Sequence, residues 1–334
     1  MVQLASTILG INMKAQQQVN VIDLENDIQS IKASIDNVVE NASQVILGKR
    51  HEIRLALACL MARGHLLIED LPGVGKTTLA HVLAAMLGLN YNRIQFTSDL
   101  LPADILGVSV FNRETNGFTF HPGPIFAQLI VADEVNRATP KAQSALLEAM
   151  EEQQVSVEGA TRPLPKPFFV IATQNPFYQV GTFPLPESQL DRFLMKINLG
   201  YPDHDAERAL YTGRDRRDLL TDVKASMTTD ELLSIQSSVK DVHASSDLLD
   251  YLQAIIDYTR RSTDYSFGLS PRGGLALLNS AKAWALMDGR DHVLPEDVQV
   301  VLPHVVTHRL RLTKDATETS ADSIADQLLA IPIP

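Results

Sequence analysis

Cysteine is almost absent from this chain, with Cys59 the only one. A single thiol excludes an intrachain disulfide and every metal site built from a cysteine cluster. Set in the apolar helical stretch Leu55 to Met61, it reads as a small core residue. Basic excess is missing too: the formal net charge is −11, so the chain lacks the positive footprint of a protein whose main ligand is nucleic acid, leaving at most a local basic groove. No apolar run approaches the ~18 residues that a membrane helix needs, and the start of the chain lacks the basic segment and continuous apolar centre of a signal peptide. The cytoplasm is therefore the expected compartment. What is present, 45% hydrophobic and 21% charged residues over 334 positions, suits a soluble protein with a main domain and a smaller one.

Residues 1–40 are polar with apolar positions at Val21, Leu24, Ile28, Ile31 and Ile35, a helical spacing that predicts a leading helix. From residue 41 to 203 the texture changes. Short apolar runs, His65 to Ile68, Tyr91 to Phe96, Leu129 to Ala132, Phe168 to Ala172 and Leu194 to Leu199, alternate with helical segments and predict a parallel α/β sheet. Two interruptions read as hairpins: Val108 to Phe111 with Phe118 to His121 around Asn116-Gly117, and Gln154 to Glu158 with Thr161 to Leu164, turning at Gly159 and Ala160. Loops inserted into a compact sheet are where partners are often engaged. Over residues 204–334 the strands stop and the pattern is helical, at Asp205 to Tyr211, Thr229 to Val239, Ser246 to Arg261, Pro271 to Met287 and Pro295 to Leu310. The run Arg214 to Asp218 reads as a solvated helix face, and Thr313 to Ser323 as a mobile polar stretch.

The sharpest chemical signal is Pro72-Gly73-Val74-Gly75-Lys76-Thr77-Thr78, which follows an apolar strand and opens the helix Thr77 to Leu87. Phosphate needs this arrangement because small residues let backbone N–H groups curl around the anion while a helix N-terminus adds unpaired donors and partial positive charge. Lys76 would reach the β and γ phosphates of ATP, and Thr77 would hold Mg²⁺ through its hydroxyl. Asp70 stands where the usual pattern begins with glycine; its tolerance of a positive φ would let the loop form. The second signal is Leu129-Ile130-Val131-Ala132-Asp133-Glu134, an apolar strand ending in two carboxylates, placed by a parallel sheet beside the phosphate loop. Asp133 suits a Mg²⁺ ligand through water, and Glu134 suits activation of the attacking water. Asn175, at the end of a further apolar strand, could donate to the γ-phosphate or the water. His304 and His308, four apart on a helix, lack a carboxylate partner placed by sequence and do not make a metal site.

Taken together, Leu-Pro-Gly-Val-Gly-Lys-Thr at 71–77, Ala-Asp-Glu-Val-Asn-Arg-Ala at 132–138, Ala-Thr-Gln-Asn-Pro at 172–176 and Leu-Pro-Glu-Ser-Gln-Leu-Asp-Arg-Phe at 185–193 resemble the MoxR family of AAA+ ATPases, from about Val45 to the C-terminus. That resemblance implies a five-stranded sheet in the order 5-1-4-3-2, a helical lid, and assembly into a ring, usually a hexamer. It implies that Asn175 is sensor 1, that Arg192 is the arginine finger supplied to a neighbouring subunit, and that Arg272 is sensor 2. Arg137, which follows the acidic pair directly and could face an adjoining subunit, is a rival for the finger, ranked below Arg192. The resemblance also implies that Ile46 and Leu47 flank adenine. The start of the helix at Ser270-Pro271 could aim Arg272 at phosphate, where a basic residue works against the helix dipole. Beyond ATP hydrolysis, the resemblance implies chaperone-like remodelling or maturation of client proteins, including metal-cofactor insertion, with a partner carrying a von Willebrand factor A domain. Two other readings stand beside it: a nucleic-acid-associated AAA+ motor, disfavoured by the acidic charge, and a nucleotide-gated binding module with very slow hydrolysis.

Overall fold

The computed structural model describes residues 27–114, 116–175, 182–212, 219–220, 223–313 and 321–333. Residues 1–26, Pro176, the run Arg214 to Asp218 and residues 314–320 of the polar stretch lie outside them, so the expectations for those segments do too.

Five strands, β1 (Leu66–Glu69), β2 (Tyr91–Gln95), β5 (Leu129–Asp133), β8 (Phe169–Gln174) and β9 (Met195–Ile197), form one sheet in the order β2-β5-β8-β1-β9 with every pair parallel. Counted in chain order these five give the expected 5-1-4-3-2. Every residue of β5 and β8 is buried, as an unbroken apolar run in a sheet covered on both faces requires. Alternate side chains feed two cores. Leu66, Leu129, Val131, Phe169 and Ile171 pack with the helices Arg50–Met61 and Lys76–Met86, while Leu67, Ile130, Ala132, Val170 and Ala172 pack with Pro140–Glu152. Each of the Val, Leu, Ile and Phe side chains among these contributes about 1.5–3 kcal/mol relative to exposure. Cys59 is fully buried in the first core and burial pushes its thiol pKa up, which makes it inert packing.

Both inserted hairpins form. β3 (Gly107–Asn112) pairs antiparallel with β4 (Gly117–Pro122), and β6 (Gln154–Val157) with β7 (Ala160–Pro163). The second turn sits one residue earlier than expected: Val157 pairs with Ala160, and Glu158 and Gly159, both at positive φ, make the two-residue turn that such hairpins favour. The first hairpin closes tightly at its base, where a Cβ on Gly107 would stand 2.4 Å from the carbonyl oxygen of His121. Its strands expose Val108, Val110, Phe111 and Phe118, the last at 75%. The guanidinium of Arg162 on β7 lies 3.8 Å from the ring centre of Phe120 on β4, which joins the two hairpins by a cation–π contact.

Residues 27–45 form a helix on the first core. The C-terminal part is built from helices Thr229–Asp241, Ser246–Arg261, Pro271–Met287, Pro295–Val306 and Ala321–Leu329. Thr228, Ser245 and Ser270 cap three of them by accepting a backbone N–H, with a full capping box at Thr228 and Glu231. Three expectations are corrected here. Strands do not stop after residue 203, because β10 (Tyr265–Phe267) pairs with β11 (Arg311–Leu312), runs too short to carry a period. The helix from Pro295 ends at Val306 and not at Leu310, and residues 321–323, expected as the end of the mobile polar stretch, begin the helix Ala321–Leu329. Trp284, the only tryptophan, lies at the seam: Arg54 of the helix Arg50–Met61 stacks 4.5 Å from its ring and pairs with Asp288 at 2.5 Å.

Candidate functional site

Parallel strands deliver their loops to one edge, and the residues predicted to carry chemistry meet at the C-terminal edge of β1, β5 and β8. Gly73 and Gly75 hold φ of +87° and +96°, and a Cβ on either would meet nothing within 4 Å. Glycine is required there by backbone conformation, and the space left open beside Gly73 and Gly75 gives a phosphate room to approach the loop. Helix Lys76–Met86 starts on Gly75 without a side-chain cap, so its first N–H groups point into the same space.

Lys76 is buried, with its Nζ donating to the carbonyl oxygens of Asp70 and of Leu71, the latter at 3.2 Å, and to Asn175 Oδ1 at 3.2 Å. Burial lowers its pKa, opposed by the carboxylates of Asp70, Glu134, Asp133 and Glu69. Thr77, followed by Thr78, donates to Asp133 at 3.3 and 3.2 Å, which brings a hydroxyl and a carboxylate to one point where a hard cation such as Mg²⁺ is readily held. Thr173 donates to Asp133 Oδ1 at 3.1 Å and accepts the Glu134 N–H at 2.9 Å, so one hydroxyl on β8 aligns both acids.

Glu134 leaves the strand in the left-handed region, φ 56°, and the chain turns at once into a short 3₁₀ helix, Val135–Arg137. That conformation costs about 1–2 kcal/mol for a residue with a Cβ. It turns the carboxylate toward Asn175, whose Nδ2 donates to Oε1 at 3.2 Å, while Arg137 at 2.7 Å and Gln95 at 3.1 Å donate to Oε2. Burial alone would raise the Glu134 pKa, but the hydrogen bonds from Arg137 and Asn175 outweigh it and the group lies below the usual carboxylate range. Gln143 braces the turn from behind by donating to the carbonyl oxygens of Val135, Ala138 and Phe183.

Asp70 does not occupy a positive-φ position, contrary to the expectation. Its carboxylate accepts the N–H of Leu71 at 2.7 Å and of Gly200 at 2.5 Å, tying the loop to the chain that follows β9. Ile46 and Leu47 adjoin the same segment: Gly48 fits against Ala206 and Asp203, and Lys49 donates to the carbonyl oxygen of Tyr201 at 2.9 Å.

The two remaining arginines are elsewhere. Arg192 precedes β9 and Arg272 begins the helix Pro271–Met287; both meet Glu151, at the N-terminal edge of the sheet, opposite the phosphate loop. Arg272 therefore does not face the phosphate loop of its own chain, although Ser270 caps its helix as expected. Arg137, the rival finger, pairs within its own chain with Glu134. His308 and His304 bond to the backbone oxygens of Phe193 and Lys196 at 2.9 and 3.3 Å.

Sequence reasoning missed Arg93. From β2 its Nε lies 2.6 Å from Asp133 Oδ2, a half-exposed guanidinium on a buried carboxylate. The signal was available once β2 is set beside β5, because Gln95 and Asp133 are partners in register. Arg93→Ala is expected to lower the Mg²⁺ concentration for half-maximal ATP binding about threefold, since the half-exposed guanidinium no longer competes for Asp133. A Mg²⁺ titration with a fluorescent ATP analogue reads this directly, and an unmoved midpoint would show that the two cations do not compete.

Comparison with known proteins agrees with this geometry. The model of the "ATPase family associated with various cellular activities (AAA)" matches residues 65–195, and that of the AAA lid domain matches residues 257–328. The chain is 42% identical to the uncharacterized protein YeaC of Bacillus subtilis (strain 168), over 90% of this chain and 95% of that one. It is 38% identical to the chaperone MoxR1 of Mycobacterium tuberculosis, over 89% of this chain and 80% of the other. A crystal structure from Cytophaga hutchinsonii, described as that of a candidate ATPase, superposes with a TM-score of 0.84 at 35% identity, covering 94% of this chain and 99% of that one. The chain belongs to the MoxR family of AAA+ ATPases, enzymes that hydrolyse ATP.

Proposed function

We propose that this ATPase works as a ring, with each ATP held by one subunit and completed by the next, and that it uses the cycle to remodel client proteins. The observation that carries this reading is the split of the functional residues between two edges of the sheet. Lys76, Thr77, Asp133, Glu134 and Asn175 gather at the C-terminal edge, while Arg192 and Arg272 gather on Glu151 at the opposite one. Neither arginine serves its own phosphate loop, and a neighbouring copy in a ring, a hexamer in our reading, gives both a target.

The glycine loop and Lys76 hold the β and γ phosphates, Ile46 and Leu47 flank the adenine, and Thr77 with Asp133 would hold Mg²⁺. A cation held there would supply positive charge against the charge that develops on the transferred phosphate. Glu134, ionised at neutral pH, orients the attacking water and accepts its proton, and Asn175 bridges Glu134 to Lys76 so that water and phosphate are held in one frame. Arg192 and Arg272 of the adjacent subunit meet the charge on the transferred phosphoryl group.

We take the α/β ATPase unit as residues 41–203, with the described helix 27–45 leading into it, and the lid as residues 204–334. The exposed apolar hairpin β3–β4, joined to β6–β7 through Arg162 and Phe120, supports client handling, and MoxR1 is itself named a chaperone. Maturation of client enzymes, including metal-cofactor insertion, in the cytoplasm and with a partner bearing a von Willebrand factor A domain, is the fuller form of this role. Among the described residues no helix is long and apolar enough to cross a membrane.

Specific ATPase activity is expected to rise with protein concentration as subunits complete one another's sites. Arg192→Ala is expected to lower it about 10³-fold or more, as loss of a trans-acting arginine does. Steady-state assays across concentration check both; activity independent of concentration and untouched by Arg192→Ala would leave a self-contained NTPase as the better account.

A further inference from the structure

At the N-terminal edge of the sheet one carboxylate serves two guanidinium groups drawn from different parts of the chain. Glu151, in the last turn of the helix Pro140–Glu152, accepts from Arg272 Nη2 on Oε1 at 2.5 Å, and Arg192 Nη2 lies 3.0 Å from Oε2. Arg192 is fixed a second time, since its Nη1 donates to the carbonyl oxygen of Leu147 at 2.6 Å. The preceding residue repeats the theme. Asp191 accepts from Arg309 Nε at 2.7 Å and from the hydroxyl of Ser270 at 3.3 Å, and Ser270 caps the helix that carries Arg272. Asp191 is thus docked directly onto the lid, and Arg192 reaches it through the Glu151 it shares with Arg272.

Charge counting gives this cluster a direction. A recess of about 270 Å³ beside it is lined by Arg63, Arg192, Arg272 and Arg309 against only Glu151 and Asp191. Four guanidinium groups face two carboxylates in a chain whose overall charge is −11. Five N–H groups are available on each guanidinium, and the described contacts occupy two on Arg192 and one on Arg272, leaving donors for an incoming anion. Stability does not explain the bridge: Arg272 is 51% and Glu151 35% exposed, and ion pairs of that exposure contribute little. Without the shared carboxylate the two cations would repel each other and splay apart.

We propose that Glu151 is a positioning residue that presents Arg192 and Arg272 as one anion-receiving pair to the terminal phosphate of ATP bound by a neighbouring copy of this chain. This rests on the trans reading given above. It adds that core and lid reach the neighbour's phosphate together, so that loss of the γ-phosphate is felt by the lid helix Pro271–Met287 through the same carboxylate.

Glu151→Ala is expected to lower kcat about tenfold to a hundredfold with KM for ATP and single-subunit binding of a fluorescent ATP analogue within twofold of wild type, and Glu151→Asp is expected to recover most of the loss. Equal thermal melting of the three proteins separates this from unfolding. Subunit mixing then locates the effect. Glu151→Ala subunits, with an intact phosphate loop, are mixed with Glu134→Gln subunits, which cannot hydrolyse but carry intact arginines; activity above that of either alone is expected. The same mixing with Arg192→Ala in place of Glu151→Ala tests the trans reading itself. Recovery with Arg192→Ala but not with Glu151→Ala overturns the role of Glu151 and leaves the trans reading standing. Recovery with neither overturns both, and wild-type kcat in Glu151→Ala overturns the proposal outright.

Discussion

Glu134→Gln is expected to lower ATP turnover by about 10²- to 10⁴-fold, the usual contribution of a positioned general base, while ATP binding stays within about threefold of wild type. The geometry separates the two effects. Glutamine keeps the shape of the side chain and one oxygen for Asn175 or for Arg137, so the turn at Val135–Arg137 and its brace on Gln143 are retained. What is lost is the ionised oxygen. Because hydrogen bonds from Arg137 and Asn175 hold the Glu134 pKa below its ordinary value, the carboxylate remains the charged, accepting form across the whole neutral range. The loss in the variant is therefore expected to be the same at pH 6 and pH 8. Single-turnover hydrolysis with bound ATP is the measurement. Equal rates for wild type and variant would favour the slow, nucleotide-gated binding module over a motor.

How much of this was legible in the sequence depends on the range over which each feature is encoded. The phosphate loop is local: a strand, two glycines at positive φ and a helix start lie within one short segment, and each residue type there has a single physical reason. The acid pair is also local, an unbroken apolar strand that ends in Asp133-Glu134. Assembly of the two needed the sheet order, which the family resemblance implied and the buried strands alone did not give. What remained hidden was pairwise and distant. Arg93 reaches Asp133 across forty positions and Glu151 reaches Arg272 across 121, and neither carries a periodic or motif signal of its own. Asp70 misled for a related reason. A glycine position in a pattern invites a backbone explanation, whereas the carboxylate is there for the N–H of Gly200, 130 residues away. Arg272 shows the limit of helix-end reasoning: the cap at Ser270 is as predicted, but which subunit's phosphate the helix start faces is a property of how the lid docks, here through Asp191 and Arg309.

Lys76→Ala is expected to weaken ATP binding about 10- to 100-fold, the worth of one or two charge-assisted hydrogen bonds to phosphate, and to remove measurable turnover. Two separate losses produce this. The first is direct, since the ammonium is the buried cation nearest the open loop and its pKa, although lowered by burial, is supported by four carboxylates. The second is organisational. Lys76 Nζ links the carbonyl oxygens of Asp70 and Leu71 to Asn175 Oδ1, and Asn175 in turn donates to Glu134, so the same atom that meets phosphate also sets the residue that orients the general base. Binding and catalysis should therefore fall together, in contrast to Glu134→Gln, where only catalysis falls. Lys76→Arg separates the two losses. Its charge is retained, but the planar guanidinium cannot sit among the three oxygens that a compact ammonium spans. Binding is expected to recover in part and turnover is not. Isothermal titration with a non-hydrolysable ATP analogue alongside steady-state rates decides the matter: full recovery of turnover in Lys76→Arg would mean that charge alone matters and that the link to Asn175 is incidental.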